Sequence, residues 1–248
     1  MCRQGPQTAA EIRNVNPGME TFLRPTAILN FKHPVVVDYR KRIAAGEGSD
    51  PVPTAVKLYY AVRDGIRYDP YSPFYLPEHY YASAVLSRGK GYCLGKAALL
   101  CALGRACSIP SRLGFATVRN HLASQQLIDY LGSDRFVFHG YVEFQLNGRW
   151  VKATPAFNAE LCERHHVDPL EFNGREDALF QAYNRENNRY MEYIEDLGIY
   201  DDVPVEQIVK AWEEEYGTDR VQQWIRAFEQ TQGESGRNFY GEKPLDSS

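Results

Sequence analysis

The sequence predicts an α+β protein in which a buried helix packs on an antiparallel sheet and further helices follow toward the C-terminus. Residues 94–107 are apolar or small with two charged exceptions, which is typical of a helix buried on every side. Residues 136–158 alternate between apolar and polar side chains around Asn147-Gly148, the favoured two-residue turn of a β-hairpin. The segment after Pro169 is acidic and reads as helical.

The composition is that of a globular protein with reduced thiols. Of the 248 residues, 44% are hydrophobic and 24% are charged, which excludes disorder as the main state. No run of 18 apolar residues predicts a membrane span, and the first 30 residues lack a signal-peptide pattern. A net charge of −4 without a basic block argues against nucleic acid as a partner. The five cysteines form no CxxC pair, so we predict a cytoplasmic protein without a disulfide scaffold or zinc ribbon.

Charge and composition divide the chain into four segments. We expect a poorly ordered lead-in over residues 1–20, a core over 21–169, an acidic helical extension over 170–231 and a frayed tail over 232–248. Residues 171–229 hold 15 acidic and 6 basic residues, a net charge of −9, which leaves +5 for the remainder. The core is therefore a mildly positive module, and the extension is a separate acidic one.

The N-terminal part of the core predicts two helices and an aromatic loop. A helix over residues 35–45 ends at a break over 46–51, and Thr54 is a candidate N-cap for a second helix that ends near Gly65. Residues 68–81 interleave tyrosine and phenylalanine with proline, which indicates a loop with large rigid side chains. These side chains either pack over the core or line a substrate cleft.

The buried helix carries a cysteine at its start. Gly89-Lys90-Gly91 marks its beginning, Pro110 follows its end, and residues 113–119 then alternate as a strand would. Cys93 therefore lies at the helix N-terminus, where the helix dipole and free N–H groups favour the nucleophilic thiolate. Its own N–H is well placed to donate to an oxyanion. The alternative interpretation is a buried, inert thiol.

The predicted hairpin carries a histidine on its polar face. If the turn sets the register, Leu146 pairs with Arg149 and Tyr141 pairs with Thr154. Thr154 then lies diagonally across from His139, at a backbone distance of about 7–8 Å. A histidine on a strand beside the helix can act as general base and acid for a cysteine. The residues by themselves indicate suitable settings but not a contact.

The segment after Pro169 predicts three helices, over residues 178–193, 205–216 and 220–230. Asp201-Asp202-Val203-Pro204 provides the start signal for the second of them. These helices constitute the predicted C-terminal extension.

Two blocks of residues resemble the transglutaminase-like superfamily. The first is Gly-Tyr-Cys at 91–93, the apolar helix, and Ser-Ile-Pro-Ser-Arg at 108–112; the second is His-Gly-Tyr-Val-Glu at 139–143 and Gly-Arg-Trp at 148–150. The resemblance covers about residues 55–158, with both blocks in the family's order. It implies a papain-like cysteine enzyme fold of the bacterial cysteine-protease type, in which a helix carrying the nucleophile packs on an antiparallel sheet.

The resemblance also implies site residues, with one departure from the family pattern. Cys93 takes the place of the nucleophile and His139 that of the acid and base. Thr154-Pro155 stands where the family usually has Asp-Pro, so the orienting carboxylate is absent there. Either the Thr154 hydroxyl or the side chain of Asn158 can accept a hydrogen bond from the imidazole instead. The hairpin register favours Thr154, and both candidates remain open.

These residues predict acyl transfer through a Cys93 thioester, with a peptide, amide or acyl-thioester as substrate. Water as acceptor gives hydrolysis, an amine gives amide formation, and the acidic extension is a candidate lid that selects between acceptors. The alternative is a catalytically impaired module that acts in binding or assembly, which the change at Thr154 favours. No cofactor motif is present, and His165-His166 with Cys162 lacks a fourth ligand at zinc-site spacing.

Overall fold

The computed structural model describes residues 18–44 and 50–243. The helices are α1 (Pro34–Ile43), α2 (Pro51–Gly65), α3 (Ala82–Arg88), α4 (Cys93–Ala106), α5 (Gln125–Leu131), α6 (Ala159–Arg164), α7 (Val205–Tyr216) and α8 (Thr218–Gln230). The strands are β1 (Arg67–Tyr68), β2 (Lys90–Gly91), β3 (Ser111–Asn120), β4 (Arg135–Leu146), β5 (Arg149–Ala153) and β6 (Met191–Tyr200). Short 3-10 turns cover Glu20–Leu23, Pro77–His79 and Phe239–Gly241.

The buried helix packs on an antiparallel sheet, as the sequence predicts. Four strands run in the order β5-β4-β3-β6, and α4 lies against β4 and β3. Every residue from Cys93 to Arg105 is buried. Glycine permits the close approach, because a Cβ on Gly104 would lie 2.6 Å from the Phe144 ring and one on Gly140 would lie 3.2 Å from Leu94. The α+β fold class is confirmed.

The first two helices are present, but α2 starts earlier than predicted. The Asp50 carboxylate accepts a hydrogen bond from the Val52 N–H at 3.0 Å, and Pro51 occupies the first helical position. Proline is favoured there because its missing N–H would have no intrahelical partner, so Asp50, and not Thr54, caps the helix. Most of the predicted break at 46–51 lies outside the residues described.

The β4–β5 hairpin has the predicted register. Leu146 pairs with Arg149, and the pairing continues without a bulge to Val142 and Ala153, where β5 ends. Thr154 follows directly. A bulge occurs on the other side of β4, where two residues including Phe138 oppose one residue of β3, and Phe138 adopts a left-handed φ of 59°. The alternation is therefore interrupted just before His139.

The predicted helix over residues 178–193 is wrong. No helix lies between Arg164 and Val205; an irregular segment, with one bridge between Tyr183 and Arg189, leads into β6. β6 pairs with β3 as an edge strand of the core sheet, so the sheet continues beyond the predicted boundary at residue 169. Residues 192–196 are exposed, and this solvation makes an edge strand look like an acidic helix in sequence.

Only α7 and α8 form the C-terminal helical extension. The segment that follows them was predicted to be frayed, but up to Lys243 it packs on the core. The α7–α8 pair packs against the start of β4, where the Trp212 indole donates to the Val137 carbonyl at 3.2 Å. Phe239 and Tyr240 are buried, and the Tyr71 hydroxyl donates to Glu242 at 2.6 Å. Burial of these aromatic rings holds the tail on the core. The predicted lead-in over residues 1–17 lies outside the described part.

Among the residues that the structure describes, no helix combines the length and apolarity required to cross a bilayer.

Candidate active site

Cys93 is the first residue of the central helix, and the chain before it is held by a short sheet. β2 pairs with β1 in parallel, with Tyr68 opposite Gly91, and Tyr92 is the N-cap of α4. The sulfur faces the backbone N–H groups of Gly140, Leu94 and Cys93 itself, which favour the thiolate. Burial outweighs them and raises the pKa of the Cys93 thiol to about 11, because the cavity does not solvate the charge.

His139 lies on β4 beside Gly140, the residue whose N–H faces the Cys93 sulfur. It is buried, and burial lowers the pKa of the imidazole to about 4. Its Nε2 atom has no hydrogen-bond partner among the residues described, and its ring packs against Phe180 with the centroids 5.4 Å apart. Thiol and imidazole are therefore both neutral in this closed form at pH 7.

Cys93 and His139 line the same cavity. Its volume is about 40 Å³, room for one or a few water molecules but not for a peptide. Aromatic side chains supply most of the remaining lining, namely Tyr68, Tyr92, Phe136, Phe138, Trp212 and Tyr216. Two of these, Trp212 and Tyr216, come from α7, so the C-terminal extension covers the candidate nucleophile.

Thr154 and Asn158 have different environments. The Thr154 hydroxyl is buried, and no group of the described residues meets strict hydrogen-bond geometry with it. The Tyr193 hydroxyl is close enough that a weak hydrogen bond with Thr154 lowers the Tyr193 pKa slightly, against the larger rise caused by burial. The Asn158 amide instead donates to the carbonyls of Arg63 and Ile66, at 2.5 and 2.8 Å, and accepts from the Tyr68 N–H at 2.6 Å. These bonds fix β1 beside the site, and none reaches His139. Asn158 is thus a structural anchor in this structure, where its amide is occupied by these bonds, and its role as the orienter stays a prediction.

Lys96 binds the same two backbone carbonyls as Asn158. It is fully buried one turn after Cys93, and its ammonium donates to the carbonyls of Arg63 and Ile66 at 2.8 and 2.6 Å. Burial lowers its pKa well below the usual lysine value. Lys96 and Asn158 therefore tie the end of α2 to α4 and α6, and thereby set the position of Tyr68.

Tyr68 is the residue that the sequence analysis did not identify as part of the site. Its side chain lines the cavity, and burial, followed by the nearby Cys93, raises its pKa well above the usual value. A phenol in this position can donate a hydrogen bond to charge that develops near the sulfur. The only signal in the sequence was its membership of the aromatic loop, because the pairing of two-residue strands β1 and β2 has no local signature.

Comparison with known proteins points to one family. Residues 38–155 match the model of the transglutaminase-like superfamily. A structure described as "a Putative Cysteine Protease from Cytophaga hutchinsonii" is 16% identical, with a TM-score of 0.44, over 75% of this chain and 55% of that one. A "putative protease" from Parabacteroides distasonis is 15% identical, with a TM-score of 0.35, over 55% of this chain and 25% of that one.

The chain thus spans about half the length of the first of these proteins and a quarter of the second. No curated protein matches the chain by sequence. The superfamily model runs from α1 to the residue after Thr154 and includes the cysteine helix and the histidine strand. Residues 38–155 of the chain are thus a domain of the transglutaminase-like superfamily.

Proposed function

We propose that the protein is a cysteine-dependent acyl-transfer enzyme with Cys93 as nucleophile. The observation that carries the proposal is the shared cavity: Cys93 at the N-terminus of α4 and His139 on β4 line it together. Backbone N–H groups surround the sulfur. A nucleophile needs a base within reach together with donors for the developing negative charge, and Cys93 has both.

The proposed reaction has two halves. His139 accepts the thiol proton as the Cys93 sulfur attacks the carbonyl carbon of a peptide, amide or acyl-thioester. The tetrahedral oxyanion accepts hydrogen bonds from the Cys93 N–H and the Tyr68 hydroxyl. Collapse of the intermediate leaves a thioester on Cys93, and His139 protonates the departing group. Water or an amine then attacks the thioester, with His139 as base, which yields hydrolysis or amide formation.

The closed cavity implies that α7 moves before the substrate binds. Access of water to the site relieves the burial that keeps the thiol and the imidazole neutral, and the N–H groups around the sulfur then favour the thiolate. We propose that Trp212 and Tyr216 act as this cover. Thr154 is the proposed hydrogen-bond acceptor for the imidazole in the open form, since no described residue meets strict hydrogen-bond geometry with its hydroxyl in the closed one.

A second candidate function is a non-catalytic module that acts in binding or assembly. Two observations favour it: the family's carboxylate is replaced by Thr154, and the cavity excludes a substrate in the closed form. This function requires neither a reactive Cys93 nor a moving α7.

Trapping of the acyl-enzyme separates the two functions. The protein is incubated with p-nitrophenyl acetate, and the acetylated residue is found by mass spectrometry. We expect acetyl transfer to Cys93, its loss in Cys93→Ala, and its retention in Cys162→Ala. Cys162 is a matched control because it is also buried and has its pKa raised to about 11. Labelling of Cys162 in place of Cys93, or no labelling of either, contradicts the enzyme.

A further inference from the structure

A cavity large enough for a ligand lies apart from the one that contains Cys93. A second cavity, of about 350 Å³, lies at the start of β6, where residues 182–190 fold back on themselves through a single bridge between Tyr183 and Arg189. Its volume falls within the range of small-molecule sites. Its lining includes His121, Phe180, Tyr183, Arg189, Glu192 and Tyr193.

The walls of this second cavity are aromatic and accessible to solvent. Tyr183 is 52% exposed and Tyr193 is 36% exposed, which places both among the most exposed large apolar residues of the described chain. Phe180 is buried and forms the inner wall. Single exposed aromatic residues are ordinary on a protein surface and enclose no volume. Several aromatic side chains that together frame a concave surface are typical of a ligand site.

The charges at the cavity distinguish an anionic ligand from a cationic one. Glu192 is already paired, with His121 at 3.2 Å and Arg119 at 3.6 Å. Arg189 forms no hydrogen bond or ion pair with any residue that the structure describes. By contrast Arg185, in the same loop, is held by Asp168 at 2.6 Å and by Glu163 at 3.0 Å. Within residues 18–44 and 50–243, the Arg189 guanidinium is thus the positive charge at this cavity without a partner, and its preferred partner is a carboxylate.

One side chain separates this cavity from the candidate active site. Phe180 lines the cavity on one side and packs against the His139 ring on the other, with the ring centroids 5.4 Å apart. The Phe180 N–H donates a hydrogen bond to the Tyr193 hydroxyl at 3.3 Å, which positions the Phe180 backbone against β6. A group bound between the aromatic walls therefore lies on the opposite side of Phe180 from the histidine that exchanges protons in the proposed reaction.

We propose that this second cavity is a substrate subsite for an apolar or aromatic residue that carries a free carboxylate, as the C-terminal residue of a peptide or an N-acyl amino acid does. The aromatic walls hold its side chain, and Arg189 pairs with its carboxylate. The identification of this ligand as part of the substrate rests on the proposed function; the binding itself does not.

The test is a comparison of two probes that differ only in charge. Binding of N-acetyl-L-phenylalanine and of N-acetyl-L-phenylalaninamide to the Cys93→Ala protein is measured by titration calorimetry. We expect the carboxylate to bind about tenfold more tightly than the amide, because it gains a charged hydrogen bond. Arg189→Gln should abolish this difference. The control is Arg226→Gln, which removes an exposed guanidinium on α8 and should preserve the difference.

Equal affinities for the two probes, an unchanged preference in Arg189→Gln, or no saturable binding of either probe would overturn the proposal. Since the Cys93→Ala protein has no nucleophile, these outcomes are independent of catalysis. Failure of acyl-enzyme trapping together with a carboxylate preference here would overturn the proposed function and leave the binding site standing.

Discussion

Cys93 and Cys162 have the same acidity in the folded protein but different surroundings. Both thiols are buried, and burial raises the pKa of each to about 11. Cys93 begins a helix, faces three backbone N–H groups and shares a cavity with His139. Cys162 also shares a void with a histidine, His165, but this void measures only about 10 Å³, and Cys162 lies inside the short helix α6 and not at its first residue. Acidity in the closed form therefore does not identify a nucleophile, whereas the groups around the sulfur do.

The contrast between Cys93 and Cys162 depends first on whether His139 is a buried, neutral base. Its pKa is about 4 in the folded protein against 6.5 in an unfolded chain, so protons bind more strongly to the unfolded state. Burial of His139 therefore lowers the free energy of unfolding at low pH. The loss is negligible well above pH 6.5, grows as the pH falls through 6.5 toward 4, and should reach about 3 kcal/mol at pH 4.

The measurement is urea unfolding of the wild type and of His139→Gln between pH 7 and pH 4. We expect the variant to lose about 3 kcal/mol less stability over this range. His79 and His165, whose pKa values are also lowered to about 4, contribute equally to both proteins. Parallel stability curves for the two proteins would mean that His139 is solvated, and the difference between the two thiols would then be smaller.

The second way to sharpen the comparison is to remove the Tyr68 phenol beside Cys93. Tyr68→Phe should lower kcat on the order of 10²-fold with little change in KM, because a donor to the oxyanion acts in the transition state. Tyr71→Phe is the matched control, since the Tyr71 hydroxyl binds Glu242 away from the cavity. A rise in KM with unchanged kcat would assign Tyr68 to substrate binding instead.

The third prediction concerns the cover over Cys93. Trp212→Ala removes a wall of the cavity, so alkylation of Cys93 by iodoacetamide should accelerate about tenfold at pH 8 and depend on a lower pKa than 11. Trp224→Ala removes the same volume from α8 but lines no part of this cavity. The rate at which iodoacetamide labels Cys162 measures any general destabilisation of the fold by the substitution. Equal acceleration at both cysteines would contradict a specific cover.

The smallest effect is expected at the third position of the proposed site. Thr154→Val should lower kcat less than about tenfold and leave the melting temperature nearly unchanged, because no described residue meets strict hydrogen-bond geometry with the Thr154 hydroxyl in the closed form. Asn158→Ala should lower the melting temperature, because it leaves the carbonyls of Arg63 and Ile66 with fewer donors. A selective loss of turnover in Asn158→Ala would reverse this assignment.

The sequence by itself determined the parts of the fold that depend on local pattern. The apolar run placed α4 and put Cys93 at its start, and Asn147-Gly148 set the pairing of β4 with β5 down to Val142. In both cases the residues that specify the element are contiguous, so no distant partner is needed. The match to the superfamily, over residues 38–155, includes both of these elements.

Only the tertiary structure decided the rest. β6 exists because β3 offers it a free edge, and its exposed acidic residues carry no sign of that partner. The side chain of Asn158 binds carbonyls more than 90 residues away in sequence, which occupies its amide in this structure. The helix N-terminus does favour the Cys93 thiolate, but burial of the sulfur, in a cavity whose lining includes Trp212 and Tyr216 of α7, is the larger effect on its pKa. The local sequence sets the orientation of the helix dipole at Cys93, whereas the packing of distant segments sets how much water reaches the sulfur.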